Sequence, residues 1–289
     1  MYAANPAPME AIKNALDPIR MGPAVGLGLE PWQEEVMNFR SSRLLLNCHR
    51  QSGKSTAVAL RALWSGLYDR SLVLLLSPSL RQSRELFKKV TMAYEELGRP
   101  VPSAVDNQLE LEFVTGGRIV SLPSSEATVR GFSAPGLIIM DEASRIPAAL
   151  FEAIIPMQSI SGGSLILLST PWGKRGFFYE AWAGMKGAWR RIERRATDCP
   201  RMRPEGLADA RLLLDENKFE REYLCKFTEA DGQYFSERVL EKAFRLGNKD
   251  NEAGDPYGSL ADVFLDAAPR LDSDEALAAQ ALLELGGGL

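Results

Sequence analysis

The sequence predicts an α/β domain built on a largely parallel sheet, and three observations carry that expectation. Apolar runs of strand length recur along the first two thirds of the chain, longer amphipathic stretches separate them, and each run is apolar at nearly every position. Such alternation is the mark of successive β-α-β units. Uniform apolarity is what strands covered by helices on both faces require.

The strand runs are RLLLNC at 43–48, SLVLLLS at 71–77, GLIIM at 136–140 and SLILLS at 164–169. Each is too short for a helix. Helical spacing fills 54–66, 80–97 and 147–157, with Ser79 and Pro147 placed as start signals. LELEFVTGGRIVSL, at 109–122, sets two alternating runs around Gly116 and Gly117 and predicts an antiparallel hairpin. After Thr197 the apolar strand signals stop, and 204–214, 217–227 and 236–246 read as three short helices, a small helical subdomain.

Composition bounds the function classes. The chain has 289 residues, 45% hydrophobic and 25% charged, enough for one large domain and something smaller. Its apolar stretches fall far short of the roughly 18 residues that cross a bilayer. No secretory signal is visible at the amino terminus, so a cytoplasmic location without membrane contact is expected. Three cysteines and a single histidine, His49, show no zinc-like spacing and no disulfide framework. The net charge of −4 is uneven: residues 250–289 hold nine acids and one arginine, which leaves the rest mildly basic.

The most informative segment is CHRQSGKST, residues 48–56, which leaves one predicted strand and opens one predicted helix. A phosphate loop needs backbone N–H groups converging at a helix amino terminus, a lysine for the outer phosphates and a hydroxyl for a magnesium ion. Gln51, Ser52, Gly53, Lys54, Ser55 and Thr56 occupy those positions, with Ser55 on the metal. The first glycine of the usual pattern is replaced by Cys48, so the loop is expected to enter with a different curve. A bland alternative is a helix capped by Ser52 with Lys54 solvated.

Eighty-seven residues beyond Lys54, LIIMDEAS ends a buried strand in Asp141 and Glu142. Carboxylates at the carboxyl edge of a parallel sheet sit where ligands bind. Asp141 is placed to hold Mg²⁺ and Glu142 to orient and deprotonate the water that attacks the γ-phosphate of ATP. SLILLSTPWG ends a further strand in Ser169, Thr170 and Pro171, a candidate coupling segment that senses the γ-phosphate and passes its state to a neighbour.

With these motifs in this order, the chain resembles the ATPase half of the large terminase subunit, the motor that packs DNA into phage heads. LEPWQEEVMNF resembles the family's adenine-contacting segment, with Gln33 reading the adenine edge. SPSLRQSRELFKKV, ATVRGFSAPGLIIMDEAS and FEREYLCKFTEADGQYFSERVL resemble further family segments, so the likeness covers about residues 29–246. It implies a P-loop NTPase core at 29–197 after an N-terminal extension (1–28), a lid or linker subdomain at 198–246 and an acidic, flexible tail at 247–289. It also implies a catalytic arginine in the loop, Arg50, and one at Arg130 that reaches a neighbouring subunit's γ-phosphate. The implied partners are double-stranded DNA, a homo-oligomeric ring on a capsid portal and a small terminase subunit, in the cytoplasm of a bacterial host. The family's nuclease is expected to be absent, since only 43 residues follow Leu246.

Two segments carry basic clusters. KGAWRRIERRATDCPRMR, at 186–203, has seven basic residues against two acids, and Arg190, Arg191, Arg194 and Arg195 are candidates for sequence-independent DNA contact. An edge strand blunted by alternating arginines fits the same pattern. Arg81, Arg84, Lys88 and Lys89 form a second basic face on a predicted helix. The competing functions are a helicase-type ATPase and a nucleotide-dependent scaffold without catalysis.

Overall fold

The computed structural model describes residues 8–123, 129, 131–184 and 188–228. Its strands are β1 (Arg43–Cys48), β2 (Leu72–Ser77), β3 (Ser103–Asp106), β4 (Glu110–Phe113), β5 (Arg118–Pro123), β6 (Leu137–Asp141), β7 (Ser164–Ser169) and β8 (Arg190–Arg194). They form one sheet in the order β3-β4-β5-β2-β6-β7-β1-β8. From β5 to β8 every neighbouring pair is parallel, and only the β3 and β4 pairings are antiparallel. The helices are α1 (Pro8–Leu16), α2 (Met21–Ala24), α3 (Pro31–Asn38), α4 (Lys54–Trp64), α5 (Leu80–Glu96), α6 (Ala148–Ser161), α7 (Gly176–Ala183), α8 (Pro204–Leu213) and α9 (Glu216–Leu224).

Successive side chains of a strand point to opposite faces, and this splits each apolar run between two cores. Leu44 and Leu46 of β1 join Val73, Leu75, Ile139, Ile166 and Leu168 in a core closed by Val36, Leu63 and Phe87 of α3, α4 and α5. Leu45 joins Leu74, Leu76, Ile138, Met140, Leu165 and Leu167 on the other face, beneath Leu150 and Ile154 of α6 and Phe178 of α7. Two-sided burial is the reason the runs carry no polar alternation. The expected parallel α/β architecture is therefore the one observed.

The start signals act as expected. Ser79 caps α5 by accepting from the Gln82 N–H, and Pro147 stands at the N-cap of α6. The hairpin at 109–122 forms as β4 and β5, and Gly117 fits because a Cβ there would lie 1.8 Å from the Gly66 carbonyl oxygen. One strand went unforeseen, β3, whose four residues alternate between half-buried and exposed, whereas β8, whose one buried residue is Ile192, is the edge strand that was one of two readings of its segment. The N-terminal segment packs on the core, with Met21 fully buried and the Trp64 indole N–H donating to the Asn14 carbonyl at 2.8 Å.

The helices α8 and α9, in the segment expected to form a small helical subdomain, belong to the same compact unit as the sheet. Helix α9 buries Phe219 and Arg221, whereas α8 buries nothing. The third expected helix, 236–246, and the acidic tail lie outside the described residues. Among the described residues no helix is long and apolar enough to cross a membrane.

Candidate active site

The candidate site lies where β1, β6 and β7 end at the carboxyl edge of the sheet. Cys48 is the last residue of β1, buried and paired with Arg194 of β8, and its backbone is not left-handed. The loop's positive φ angles fall instead on Gln51 (59°) and Gly53 (92°). This is the altered entry expected from the missing glycine. Gly53 is the N-cap of α4, and a Cβ on it would lie 2.9 Å from Gln33 Nε2 and 3.4 Å from Arg201.

Lys54 opens α4 and is only 6% exposed, which removes the reading of a solvated lysine on a simple cap. Its ammonium donates to Thr170 Oγ1 at 3.3 Å and stands 3.4 Å from Glu142 Oε1. Ser55 Oγ donates to Asp141 Oδ2 at 3.2 Å, while Asp141 Oδ1 accepts from the Glu142 N–H at 2.9 Å. A lysine and a hydroxyl from one segment and two carboxylates from another, far apart in sequence, thus converge at one helix amino terminus. Burial, reinforced by the adjacent Glu142 charge, pushes the Asp141 carboxyl up to about 6 against the pull of Lys54, the Glu142 N–H and Ser55.

Glu142 has φ 51° and ψ 44°, a left-handed conformation that costs a non-glycine residue about 1–2 kcal/mol. The turn it makes lets one strand end supply two carboxylates with different tasks, since consecutive residues of a continuing strand would point to opposite faces. Behind it, Ser144 Oγ lies 2.6 Å from Ser169 Oγ and donates to the Thr170 carbonyl at 3.0 Å. Ser169, Thr170 and Pro171 are buried. The coupling segment of the sequence reading thus touches both Lys54 and the turn after the acids.

Gln33 sits beside the loop, its Oε1 accepting from the Glu30 N–H at 2.9 Å within the N-terminal capping box of α3. Thr56 donates its N–H to the Gly53 carbonyl in the first turn of α4. Arg50 is not brought to the carboxylates: its side chain is largely exposed and pairs with Glu222 of α9, whose carbonyl also accepts the Arg50 N–H. Arg130 lies outside the described residues.

The arginines of the first basic cluster occupy the sheet edge. Arg190 pairs with Glu35, Arg194 with Glu30 at 2.6 Å and Arg195 with Glu193, while Arg191 donates to the Ala181 carbonyl at 2.8 Å. The segment folds as an edge strand blunted by arginines, the second of the two readings left open for it.

Sequence reasoning missed three contributors. Glu30 gathers Trp32 Nε1, Arg194 and Arg201, and Arg201 also donates to the Ser52 carbonyl at 2.8 Å, bracing the loop from outside. Glu30 and Gln33 stand three apart, the spacing of a capping box, so a local signal was present. Arg201 stood in the basic cluster without a role. Ser144 stands two residues beyond the acid pair, yet only the β6–β7 register reveals its partner.

Comparison with known proteins identifies the family and agrees with the fold. Residues 46–242 match the family described as terminase large subunit, T4likevirus-type, N-terminal. The large terminase subunits of Thermus phage G20c and Thermus virus P23-45 are each 25% identical over 249 residues, covering 73% of this chain and 51% of the relative. The chain thus spans about half the length of these relatives. Among solved structures, the large terminase ATPase domain of Thermus phage P74-26 superposes with a TM-score of 0.61 at 22% identity, over 71% of this chain and 96% of that one. The HK97 bacteriophage large terminase gives 0.62 at 16% (78% and 58% covered). The large terminase of a thermophilic bacteriophage, solved in complex with ADP, gives 0.57 at 10% (69% and 54%).

Proposed function

Because this chain belongs to the terminase large-subunit family, matched by its N-terminal part, we propose that it is a magnesium-dependent ATPase that drives double-stranded DNA into a phage capsid. The observation that carries the reading is the convergence of Lys54, Ser55, Asp141 and Glu142 on one loop. The neighbour from the thermophilic bacteriophage, solved with ADP and with ATP-γ-S, supports a nucleotide as the ligand.

The roles follow from the contacts. Lys54 takes the outer phosphates, and Gln33, placed against Gly53, takes the adenine edge. Ser55 and Asp141 offer a hydroxyl and a carboxylate oxygen side by side, a donor set that fits Mg²⁺, which binds through few protein oxygens and the nucleotide's own phosphates. When bound, that ion would neutralise charge on the phosphates.

Glu142 is the base, and its pairing with Lys54 holds it in check without nucleotide. A γ-phosphate brought to Lys54 competes for the ammonium, and Glu142 is released toward the attacking water. Thr170, which shares Lys54 with Glu142, registers the same exchange. Arg130 is assigned to the γ-phosphate of a neighbouring subunit, which makes turnover depend on a ring, and a portal and a small subunit are the partners of that assembly.

The test is phosphate release with and without duplex DNA, across protein concentration. Turnover is expected to rise steeply with concentration and to be stimulated by duplex. Glu142→Gln should keep nucleotide binding and lose roughly 10²–10⁴ in turnover. Turnover unchanged in that variant would remove the assignment of the base.

A further inference from the structure

The turn after the acids opens on a surface cavity of about 480 Å³, lined by Ser144, Arg145, Pro147, Trp172, Arg175 and Gly176 among others. That volume lies within the range of small-ligand sites. Its chemistry is one-sided. The Arg145 guanidinium carbon lies 4.2 Å from the centre of the Trp172 ring, and Arg221 approaches the same ring at 4.7 Å. Arg175 is exposed at the N-cap of α7. The amino ends of α6 and α7 both flank the cavity, and neither carries an acid in its first turn.

No carboxylate lines the cavity, and among the described residues neither Arg145 nor Arg175 pairs with one. This sets it apart from β8, where the arginines are matched by Glu30, Glu35 and Glu193. Two guanidiniums and two helix amino ends without a counter-charge make an anion site. Guanidiniums and helix amino ends answer to phosphate charge, which every duplex presents whatever its sequence.

The cavity is also wired to the nucleotide. Ser144, on its wall, meets Ser169 at 2.6 Å and the Thr170 carbonyl at 3.0 Å, and Thr170 Oγ1 in turn accepts from Lys54. Arg145 follows Ser144 directly. Movement of that turn is therefore shared between the anion site and the lysine that takes the γ-phosphate.

We propose that the cavity between the Arg145 turn and the start of α7 is a phosphate-binding site for the backbone of duplex DNA, coupled to ATP turnover through Ser144. This rests on the reading of the chain as a DNA-translocating ATPase. The exposed α5 face lies on the opposite side of the sheet, against the other core.

The experiment measures random-sequence duplex binding across a salt series, together with ATP turnover with and without duplex, in wild type, Arg175→Ala, Arg145→Gln and Ser144→Ala. Arg175→Ala and Arg145→Gln should each weaken duplex binding roughly tenfold and lower the slope of log K against log salt by about one, because each removes one phosphate contact. Turnover without DNA should be unchanged in Arg175→Ala, and its stimulation by duplex should disappear. Ser144→Ala should bind duplex as the wild type does and lose the stimulation. Wild-type affinity and salt slope in both arginine variants would overturn the site while leaving the motor reading intact. A wild type that binds no duplex at all would instead defeat the motor reading and this site with it. Inorganic phosphate that stabilises wild type but not Arg175→Ala, with equal duplex affinity in the two, would assign the cavity to a free anion and overturn the DNA assignment.

Discussion

Replacing Asp141 by asparagine should make the nucleotide-free protein more stable while ending its ATPase activity. The Asp141 carboxyl is 8% exposed and sits beside Glu142, and its pKa rises from an ordinary 3.8 to about 6. At 1.36 kcal/mol per pH unit, that rise corresponds to about 3 kcal/mol. The sign follows from proton binding. Between pH 4 and pH 6 the folded chain holds a proton that the unfolded chain has lost, so stability falls as pH rises through this window and is level above it. Asparagine is nearly the same shape, its amide oxygen can still accept from the Glu142 N–H and its NH₂ can donate to Ser55 Oγ, but it carries no charge. It also withdraws a partner from Lys54, which takes back part of the gain. A net stabilisation of about 1–2 kcal/mol at pH 8 is expected, with the slope between pH 4 and 6 flattened. Urea unfolding of both proteins in a chelator, at pH 4.5 and pH 8, measures it. A variant less stable than wild type at pH 8, or a wild type with no slope in that window, would refute the account of Asp141 as a charge held at a cost for its ligand.

Two other substitutions probe what surrounds the site. Gly117→Ala should lose about 1–3 kcal/mol, because the new methyl would meet the Gly66 carbonyl oxygen at 1.8 Å and force the β4–β5 hairpin away from the end of α4; denaturant unfolding reads the loss. Arg201→Ala releases the Ser52 carbonyl and one of the three partners of Glu30, so the loop loses its outer brace. The KM for ATP is expected to rise several-fold with little change in kcat, since nothing at the carboxylates is touched. A fall in kcat alone would place Arg201 in the chemistry instead.

What the sequence discloses here depends on whether a residue's neighbours are local. β1 and β7 begin and end where the runs do, because two-sided burial demands apolar residues along most of each strand, with Asn47 and Ser169 as buried polar residues near the carboxyl ends. The phosphate loop and the acidic pair are legible for the same reason, each being a strand end with its chemistry attached. β8 was legible only as one of two readings, because an edge strand need bury only one residue in its length and its arginines fit a charged surface equally well. Glu30 and Arg201, 171 residues apart, meet only because β8 returns beside β1, and no periodicity announces that. Arg50 faces away from the carboxylates, and its pairing with Glu222 of α9 has no local signal in the sequence.

The loop is fastened along both of its sides, and this determines where a nucleotide-driven displacement can go. On one side Lys54 touches Thr170, and Ser144 joins that strand end to the turn behind the acids. On the other, His49 donates its N–H to the Arg194 carbonyl, Arg50 donates to the Glu222 carbonyl, and Asn47 reaches the Cys225 carbonyl at 2.8 Å. Residues 47–50 are therefore bound to the end of α9 and the residue after it, through two backbone carbonyls and one ion pair. Strands β1, β6 and β7 are packed on both faces and do not yield to a sub-ångström push, since a close-packed core transmits strain in preference to absorbing it. α9 is fixed by few buried side chains, and α8 by none, so displacement of the loop is taken up there at the least energetic cost. If the chain is the ATPase proposed, nucleotide state would leave the site by two routes of unequal stiffness: a short serine relay to the Arg145 turn, and a softer lever through Glu222 into α9.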